Sequence, residues 1–540
     1  MLATLRERII AYSDLESSPG FSRMGWVIIG VIIALLLLPT LFHPLDLDQA
    51  LFDLHGRMIL DGRVYYRDMI DIKPPLICFI YAAANFIFNA GDLSIRLLDF
   101  ILQCATCWLM IVLVRRGSRS DMMAATAAIG YAILYAGQHY GALAQTESYV
   151  GLLGLGMTWI ALYGRTPLGF IAIGVMGALL WLLKFSFAGV LAAIMVAELA
   201  ISWSNVRTLL GHWLLMGAGA GAVVGLFFLY LSATGAYHDF LLVSDFARGY
   251  AMGYLGMPKK IFLKFIELTP LELLGVFSIL MMLGILAGIA LSLRQPPARE
   301  RGVHHPSRLL RISTLVFLFL IGTIVAEGKY FTYHFGRLFP FGAILASAGL
   351  LFTANRVLRR IQLRRYTIAF GAMILVGALL FSPLVNYGRK GLMPVLQQLR
   401  HGGAIEGLSL YEYSTTEPMQ IGRYIAKLRR PGDDLFAAAG IGGNIYYHTG
   451  FMPQTKINHF VYVTASFAAQ EWKDSVSAYL LREPPRFIVS DFSNAAPSTF
   501  GNDMSSDDGL YALPGVDSLL RTSYTKTMRT DHLQVYERRN

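Results

Sequence analysis

Charged residues crowd into the stretch 46–75, DLDQALFDLHGRMILDGRVYYRDMIDIKPP, which lies between two strongly apolar runs. Asp46, Asp48, Asp53, Asp61, Arg67, Asp68, Asp71 and Lys73 have no reason to sit in hydrocarbon. Asp48 follows the first apolar run and precedes an amphipathic segment. A carboxylate there can take the proton of an acceptor hydroxyl or bind the acceptor. Asp46, two residues away, can share that work. The plainer alternative is a pair of ordinary loop acids. Lys73 stands directly before Pro74-Pro75, and Pro favours the first turn of a helix. A cation beside a helix N-terminus can grip a phosphate; the alternative is an interfacial lysine that snorkels to lipid headgroups.

Further candidates lie downstream. Glu147 in LAQTESYV opens an apolar run, where it is either functional or a helix cap together with Thr146. Lys184 in LLKFSF ends another run and can pair with an acid, contact a phosphate or mark the end of the span. Arg248, Lys259 and Lys260 occur among Tyr250 and Tyr254, a mixture that suits a phosphate or sugar site and equally an interfacial belt. Lys329, Tyr330, His334 and Arg337 share the turn EGKYFTYHFGRLFPF. GIGGN (440–444) lacks the spacing of a phosphate loop and is expected to be a turn.

The elements that must hold these residues are mostly membrane spans. Of 540 residues, 55% are apolar and only 15% charged, too few charges to solvate a surface of this size. The formal charge of +11 comes from short basic clusters between apolar runs, which orient spans and do not describe a nucleic-acid surface. Cys78, Cys104 and Cys107 all lie in apolar stretches, so neither a disulfide framework nor a zinc site is expected. The first apolar run reads as an uncleaved anchor.

Spans of ~20 residues are expected near 25–42, 95–114, 122–140, 146–163, 168–184, 187–202, 208–232, 269–292, 309–327, 337–354 and 367–385. With Arg6 and Arg8 in the cytoplasm, Arg115, Arg116, Arg119 and the basic loops 294–308 and 355–366 all fall inside. This parity requires that 74–88, too short to cross, and the amphipathic 48–60 lie at the interface. The outer side then holds the loop 43–94, the turn 141–146, the segment 233–268, the turn 328–336 and everything after about 386. In that last part, LFAAAG (435–440) and RFIVSD (486–491) read as buried strands. Segments 417–430 and 467–483 read as amphipathic helices, and 502–509 as a loop. The expected organisation is a transmembrane domain over 1–388 and a small periplasmic α/β domain over 389–540.

The stretch from Asp48 through Gly62, Tyr66, Asp68 and Lys73-Pro74-Pro75 resembles the first outer loop of GT-C membrane glycosyltransferases. The resemblance is to the bacterial branch related to protein O-mannosyltransferases and the lipid A aminoarabinose transferase. Arg96, QTES (145–148), the Lys184 element and YHFGRLFP (333–340) follow in matching order, so residues 20–390 are covered. That family often has an acidic pair where this chain has Asp48-Gln49; either Asp46 supplies the second carboxylate or one suffices. The resemblance implies a polytopic helical GT-C fold in a bacterial inner membrane and a sugar donor on polyprenyl phosphate. It implies Asp48 as base or acceptor-positioning acid, and Lys73 on the donor phosphate. Asp46, Tyr66, Asp68, Asp71, Glu147, Lys184, Arg248, Lys329 and His334 are the accompanying substrate-binding candidates. No cofactor is required; a divalent metal is compatible with the sequence, but Lys and Arg can neutralise a lipid monophosphate without one. The acceptor could be a glycan, a lipid or a protein. Two rival readings are a lipid or glycolipid flippase and a protein that displays its outer domain to a partner. A carrier should have charged or broken helices at mid-membrane, whereas the charges here cluster at the outer ends.

Overall fold

The structure, a computed structural model, describes residues 20–202, 205–255, 275–293, 306–360, 412–495 and 497–539. The expected span at 367–385, Lys259 and Lys260, Arg6 and Arg8, and much of the basic loops 294–308 and 355–366 lie outside these residues.

In chain order the longer elements begin with helices α1 (Arg23–Leu37), α2 (Leu47–Leu60), α3 (Leu76–Phe88), α4 (Asp92–Ser118) and α5 (Asp121–Ala136). Next come α6 (Val150–Tyr163), α7 (Pro167–Leu183), α8 (Ala188–Ser202), α9 (Val206–Ala233) and α10 (Tyr237–Leu255). They are followed by α11 (Gly275–Leu293), α12 (Pro306–Glu327) and α13 (Phe339–Arg360). The C-terminal part contains α14 (Tyr413–Leu428), β1 (Leu435–Ala438), α15 (Gly442–Thr449), α16 (Gln470–Arg482) and β2 (Phe487–Asp491). It ends with α17 (Ser506–Tyr511), α18 (Val516–Ser523), β3 (Tyr524–Arg529) and β4 (Leu533–Arg538).

The chain forms two compact units that do not follow chain order. One draws on Met1–His43, Arg96–Gly225 and Lys260–Arg400, the other on Pro44–Ile95, Leu226–Lys259 and His401–Asn540.

The first unit is helical. Among the described residues, five segments are long and apolar enough to cross a membrane: Arg23–Phe42, Asp92–Ser118, Val206–Ala233, Arg308–Glu327 and Thr332–Arg356. Several carry apolar side chains on the outside, including Val27, Val31 and Leu35 on α1 and Leu210 and Leu214 on α9. Rows of exposed aliphatic residues on successive helices are what lipid-facing surfaces require. Small residues bring helices together. A Cβ on Gly349 of α13 would meet the carbonyl oxygen of Gly284 on α11 at 2.0 Å, and one on Gly174 of α7 would meet that of Met216 on α9 at 1.9 Å. Without a hydrophobic drive between helices in lipid, close backbone approach of this kind supplies the packing.

The second unit joins the first outer loop to the C-terminal chain. Helices α2 and α3 form a hairpin in which Phe52 packs edge-on against Tyr81 at 5.6 Å. Gly56 faces the α3 backbone, where a Cβ would lie 2.8 Å from the amide nitrogen of Ala82. The buried Asp53 accepts from Asn85 Nδ2 at 2.8 Å and pairs with Arg57 at 2.7 Å, which fixes the hairpin's register. At α3's 13 residues, about 1.5 Å each gives ~20 Å, short of a hydrocarbon core of about 30 Å.

The C-terminal sheet runs β1-β2-β4-β3, with β1 parallel to β2 and the other pairs antiparallel. All of β1 and β2 is buried, which explains why β1 and the first three residues of β2 read as apolar runs. The hairpin β3–β4, whose YTKTMR strand is mostly exposed, has no such signal. Two local expectations are corrected. The segment expected as a loop at 502–509 contains α17, started by a capping box between Ser505 and Asp508. Of GIGGN, only the start is a turn; Gly442 begins α15, and a Cβ on Gly443 would meet Leu51 N at 2.7 Å, so the glycine lets α15 seat on α2.

Candidate functional site

Asp48 lies in the first turn of α2, where the unpaired amides and the helix dipole favour a negative charge. The turn is closed by Gln49, whose Oε1 accepts from Asp46 N at 2.9 Å. Gln49 therefore has a capping task that an acid could not improve upon. Asp46 Oδ1 accepts from Ser414 Oγ at 2.9 Å, so the start of α14 anchors the start of α2.

Lys73 Nζ donates to Asp48 Oδ2 at 2.7 Å and sits 4.3 Å from the centre of the Phe52 ring. The lysine side chain is 14% exposed and the aspartate 27%. This is a half-buried ion pair with access to solvent, laid over an aromatic face. The backbone at Lys73 is held on both sides. Its carbonyl accepts from Tyr65 Oη at 3.0 Å and Tyr66 Oη at 3.4 Å, and its amide donates to Asp71 Oδ1 at 3.1 Å. Tyr66 adopts a left-handed backbone, φ 70°, to turn its ring inward.

Asp71 is fully enclosed. Burial raises its pKa to about 6, and Lys73 only partly opposes that rise. Ile72 N donates to Tyr462 Oη at 3.0 Å, and that hydroxyl stands 3.5 Å from Asp71 Oδ1. Nearby, burial lowers His459 to about 4, with Asp48 opposing and Lys73 reinforcing the fall, so its imidazole is neutral at pH 7. His55 is likewise lowered to about 4 by burial. Asp68 differs in kind: it pairs with its neighbour Arg67 at 2.8 Å and accepts from Val64 N at 2.7 Å, a brace for the turn. Arg248 is exposed and pairs with Asp245 at 3.2 Å on α10.

A second group lies within the helical unit, where the ends of α7 and α12 and the turns before α6 and α13 meet. Lys184 Nζ reaches Glu147 Oε1 at 2.9 Å, Glu327 Oε2 at 2.8 Å and His334 Nε2 at 3.1 Å. Arg337, with no exposed side-chain surface, donates to Glu147 at 2.8 Å, to Glu327 at 2.6 Å and to Thr323 Oγ1 at 3.0 Å. An ammonium can only donate, so His334 Nε2 accepts and the ring is neutral. Two carboxylates then balance two cations. Burying such a set is tolerable only because each charge has partners. Lys184, 18% exposed, is far more open than Arg337. Lys329 lies half-buried in the adjoining turn.

The sequence candidates thus separate into a loop group (Asp46, Asp48, Tyr66, Asp68, Asp71, Lys73) and a span-end group (Glu147, Lys184, His334, with Lys329 in the turn). Sequence reasoning missed Glu327 as a member of the second group and noted Arg337 without a role; charges at the ends of apolar runs were the available signal. Tyr462 and Ser414 had no signal, because their partners lie hundreds of residues away. Among the described residues no group of three or more His, Cys, Asp or Glu side chains is placed to hold a metal ion.

No family model matches the sequence, and no curated protein matches it. Solved structures do. ArnT from Cupriavidus metallidurans, bound to undecaprenyl phosphate, superposes with a TM-score of 0.59 at 14% identity over 95% of this chain and 98% of that one. The chain has the GT-C fold. An Archaeoglobus fulgidus oligosaccharyltransferase, in complex with zinc and sulfate, matches with a TM-score of 0.50 at 14% identity, covering 92% of this chain and 71% of that chain.

Proposed function

We propose that this protein is a glycosyltransferase of the inner bacterial membrane that uses a sugar carried on polyprenyl phosphate. The observation that carries the reading is the Asp48–Lys73 pair, half-open at the N-terminal ends of two helices in a GT-C fold. ArnT, with the same fold, binds undecaprenyl phosphate. The N-terminus is cytoplasmic, and the loop 43–94 and the C-terminal domain 389–540 are periplasmic.

In the resting protein Lys73 neutralises Asp48. An arriving phosphate competes for the ammonium, and the freed carboxylate becomes available to an acceptor hydroxyl. The acceptor oxygen attacks the anomeric carbon from the face opposite the phosphate. The bond from that carbon to the phosphate oxygen breaks, its electron pair leaves with polyprenyl phosphate, and the hydroxyl proton passes to Asp48. The anomeric configuration is inverted. Lys73 meets the charge that grows on the departing phosphate. Tyr66, Asp71 and Asp46 hold this pair; within the helical unit, Lys184, set by Glu147 and His334, is a cation that can bind an anionic group. Lys329 in the helical unit and Arg248 on α10 are further substrate-binding candidates, each within its own unit, and Asp68 keeps the turn in shape.

The test is a transfer assay with purified full-length protein in liposomes, radiolabelled polyprenyl-phosphate sugars and an envelope acceptor fraction. Wild type should transfer label. Asp48→Asn should lose about 10²–10⁴-fold in kcat, the usual contribution of a general base, while still binding undecaprenyl phosphate. Full activity of Asp48→Asn would remove its role, and no transfer from any donor by wild type would remove the transferase reading.

A further inference from the structure

The C-terminal chain supplies a side chain to the Asp48–Lys73 arrangement. We infer that Tyr462 is a positioning residue for Lys73, acting through Asp71 and the Ile72 amide. The proposal rests on the functional reading above only for what Lys73 does; the brace itself stands on geometry.

Tyr462 is rigid. It is 2% exposed, and its ring packs against Phe246 at 4.8 Å, Trp472 at 5.7 Å and His459 at 5.7 Å. Its oxygen accepts the Ile72 N–H at 3.0 Å, which leaves the hydroxyl proton for an acceptor, and Asp71 Oδ1 is 3.5 Å away. The same Oδ1 accepts the Lys73 N–H. One phenol therefore fixes two consecutive positions before Pro74, beyond which the chain has little freedom. The other Asp71 oxygen is buried without a hydrogen-bond partner. The carboxylate thus depends on the Lys73 amide and the Tyr462 hydroxyl to stay charged in a dry site. Lys73, Asp48, Tyr65, Tyr66, Cys78 and Tyr462 are the titratable or charged groups facing Asp71, and the neutral His459 lies beside Lys73 and Asp48.

Removing only the hydroxyl keeps the packing and loosens the charge. Tyr462→Phe takes the acceptor from the Ile72 amide at every pH, which loosens Lys73 even at pH 8, and it should also raise the Asp71 pKa, so that Asp71 gives up the Lys73 amide at a higher pH than in wild type. Two measurements on the full-length protein in detergent separate this from a general packing defect. The first is acetic anhydride labelling of lysines read by mass spectrometry at pH 8, with no ligand present. Lys73 should label about 3- to 10-fold faster in Tyr462→Phe and in Asp71→Asn, and no faster in the double variant, while the exposed Lys526 is unchanged. Equal Lys73 labelling in wild type and Tyr462→Phe overturns the brace. The second is binding of undecaprenyl phosphate from pH 5 to 8. Wild-type affinity should drop as pH falls through about 6, and Tyr462→Phe should move that inflection upward. A loss that is uniform across pH, with no shift, would mean packing alone and overturns the proposal. Failure of wild type to bind the lipid phosphate would count against the donor reading, and the labelling result would still decide the brace.

Discussion

At the scale of single residues, the proposed function gives Asp48 the acceptor proton and Lys73 the donor phosphate, and their ion pair is what the structure shows. A charge-assisted contact from lysine to phosphate contributes about 1.5–3 kcal/mol, so Lys73→Gln should weaken undecaprenyl phosphate binding roughly 10- to 100-fold; a ligand titration by intrinsic fluorescence would show it. Asp71 makes a separate, stability-based prediction. Its folded pKa is raised from 3.8 to about 6, so the folded state holds the proton more tightly than the unfolded chain. The associated stability is fully present below about pH 4 and is lost as pH rises through 6, by up to ~3 kcal/mol for a shift of about two units. Buried His55 and His459, both lowered to about 4, shift stability the other way over the same range, so Asp71 is read from a difference: the thermal midpoint of Asp71→Asn relative to wild type should rise between pH 4 and 7. A difference that stays flat with pH would contradict the raised pKa of Asp71. Asp48 and Lys73 stood out in the sequence because a carboxylate and a Lys-Pro-Pro beside apolar runs are conspicuous; that they pair with each other is what the structure adds. Gln49 was legible only as a departure from an acidic pair; its meaning as the residue that closes the first turn of α2 needed the backbone.

At the scale of elements, apolar length marked most helices in advance, and the described helices fall within a few residues of the expected spans, five of them long and apolar enough to cross a membrane. The signal is strong because lipid demands long apolar helices whatever the neighbours do. It fails where partners decide. The charges Glu327 and Arg337 sit at the ends of separate runs, and nothing in either run says that they meet. Helix α10 in the segment 233–268 was not foreseen either; Asp239 at its start pairs with Lys456 at 2.5 Å, a partner from the C-terminal chain. Glycines make a sharper test of packing. Gly56→Ala places a methyl against the α3 backbone, which cannot move aside as a side chain can, and should destabilise by about 1–3 kcal/mol. Gly30→Ala on α1, with nothing within 4 Å, should be neutral or slightly stabilising, since alanine is the better helix former by about 1 kcal/mol. Thermal unfolding of the two variants in one detergent compares them directly, and similar losses in both would reject the proposed contact between α2 and α3.

At the scale of the whole molecule, the compact unit around the first outer loop is assembled from three distant stretches, and this bears on the rival in which the C-terminal chain merely displays itself to a partner. If display were its task, the loop would stand without it. The contacts argue otherwise. Ser414 bonds Asp46, Arg63 Nη1 donates to the Pro453 carbonyl at 2.6 Å, Ile70 N donates to the Lys456 carbonyl at 3.2 Å, Tyr462 receives Ile72 N, and Arg57 lies 4.8 Å over the Tyr447 ring. Leu51, Phe52 and Met58 are buried in the same unit. Each large apolar side chain returned to water costs about 1.5–3 kcal/mol, and the amides at Ile70 and Ile72 would lose their acceptors. A chain ending at 411 should therefore keep its spans but lose order in the loop. Spheroplasts expressing each form, treated with trypsin from outside, would report this at Arg57, Arg63 and Arg67. The full chain should be cut slowly at these sites and the truncated one at least ~10-fold faster, as expected when a segment passes from protected to locally unfolded. Equal resistance in the two forms would mean that the loop is ordered without the C-terminal chain, and the display reading would regain its footing. Resistance in both that gives way only when the membrane is opened would instead place the loop on the cytoplasmic side and reverse the proposed topology.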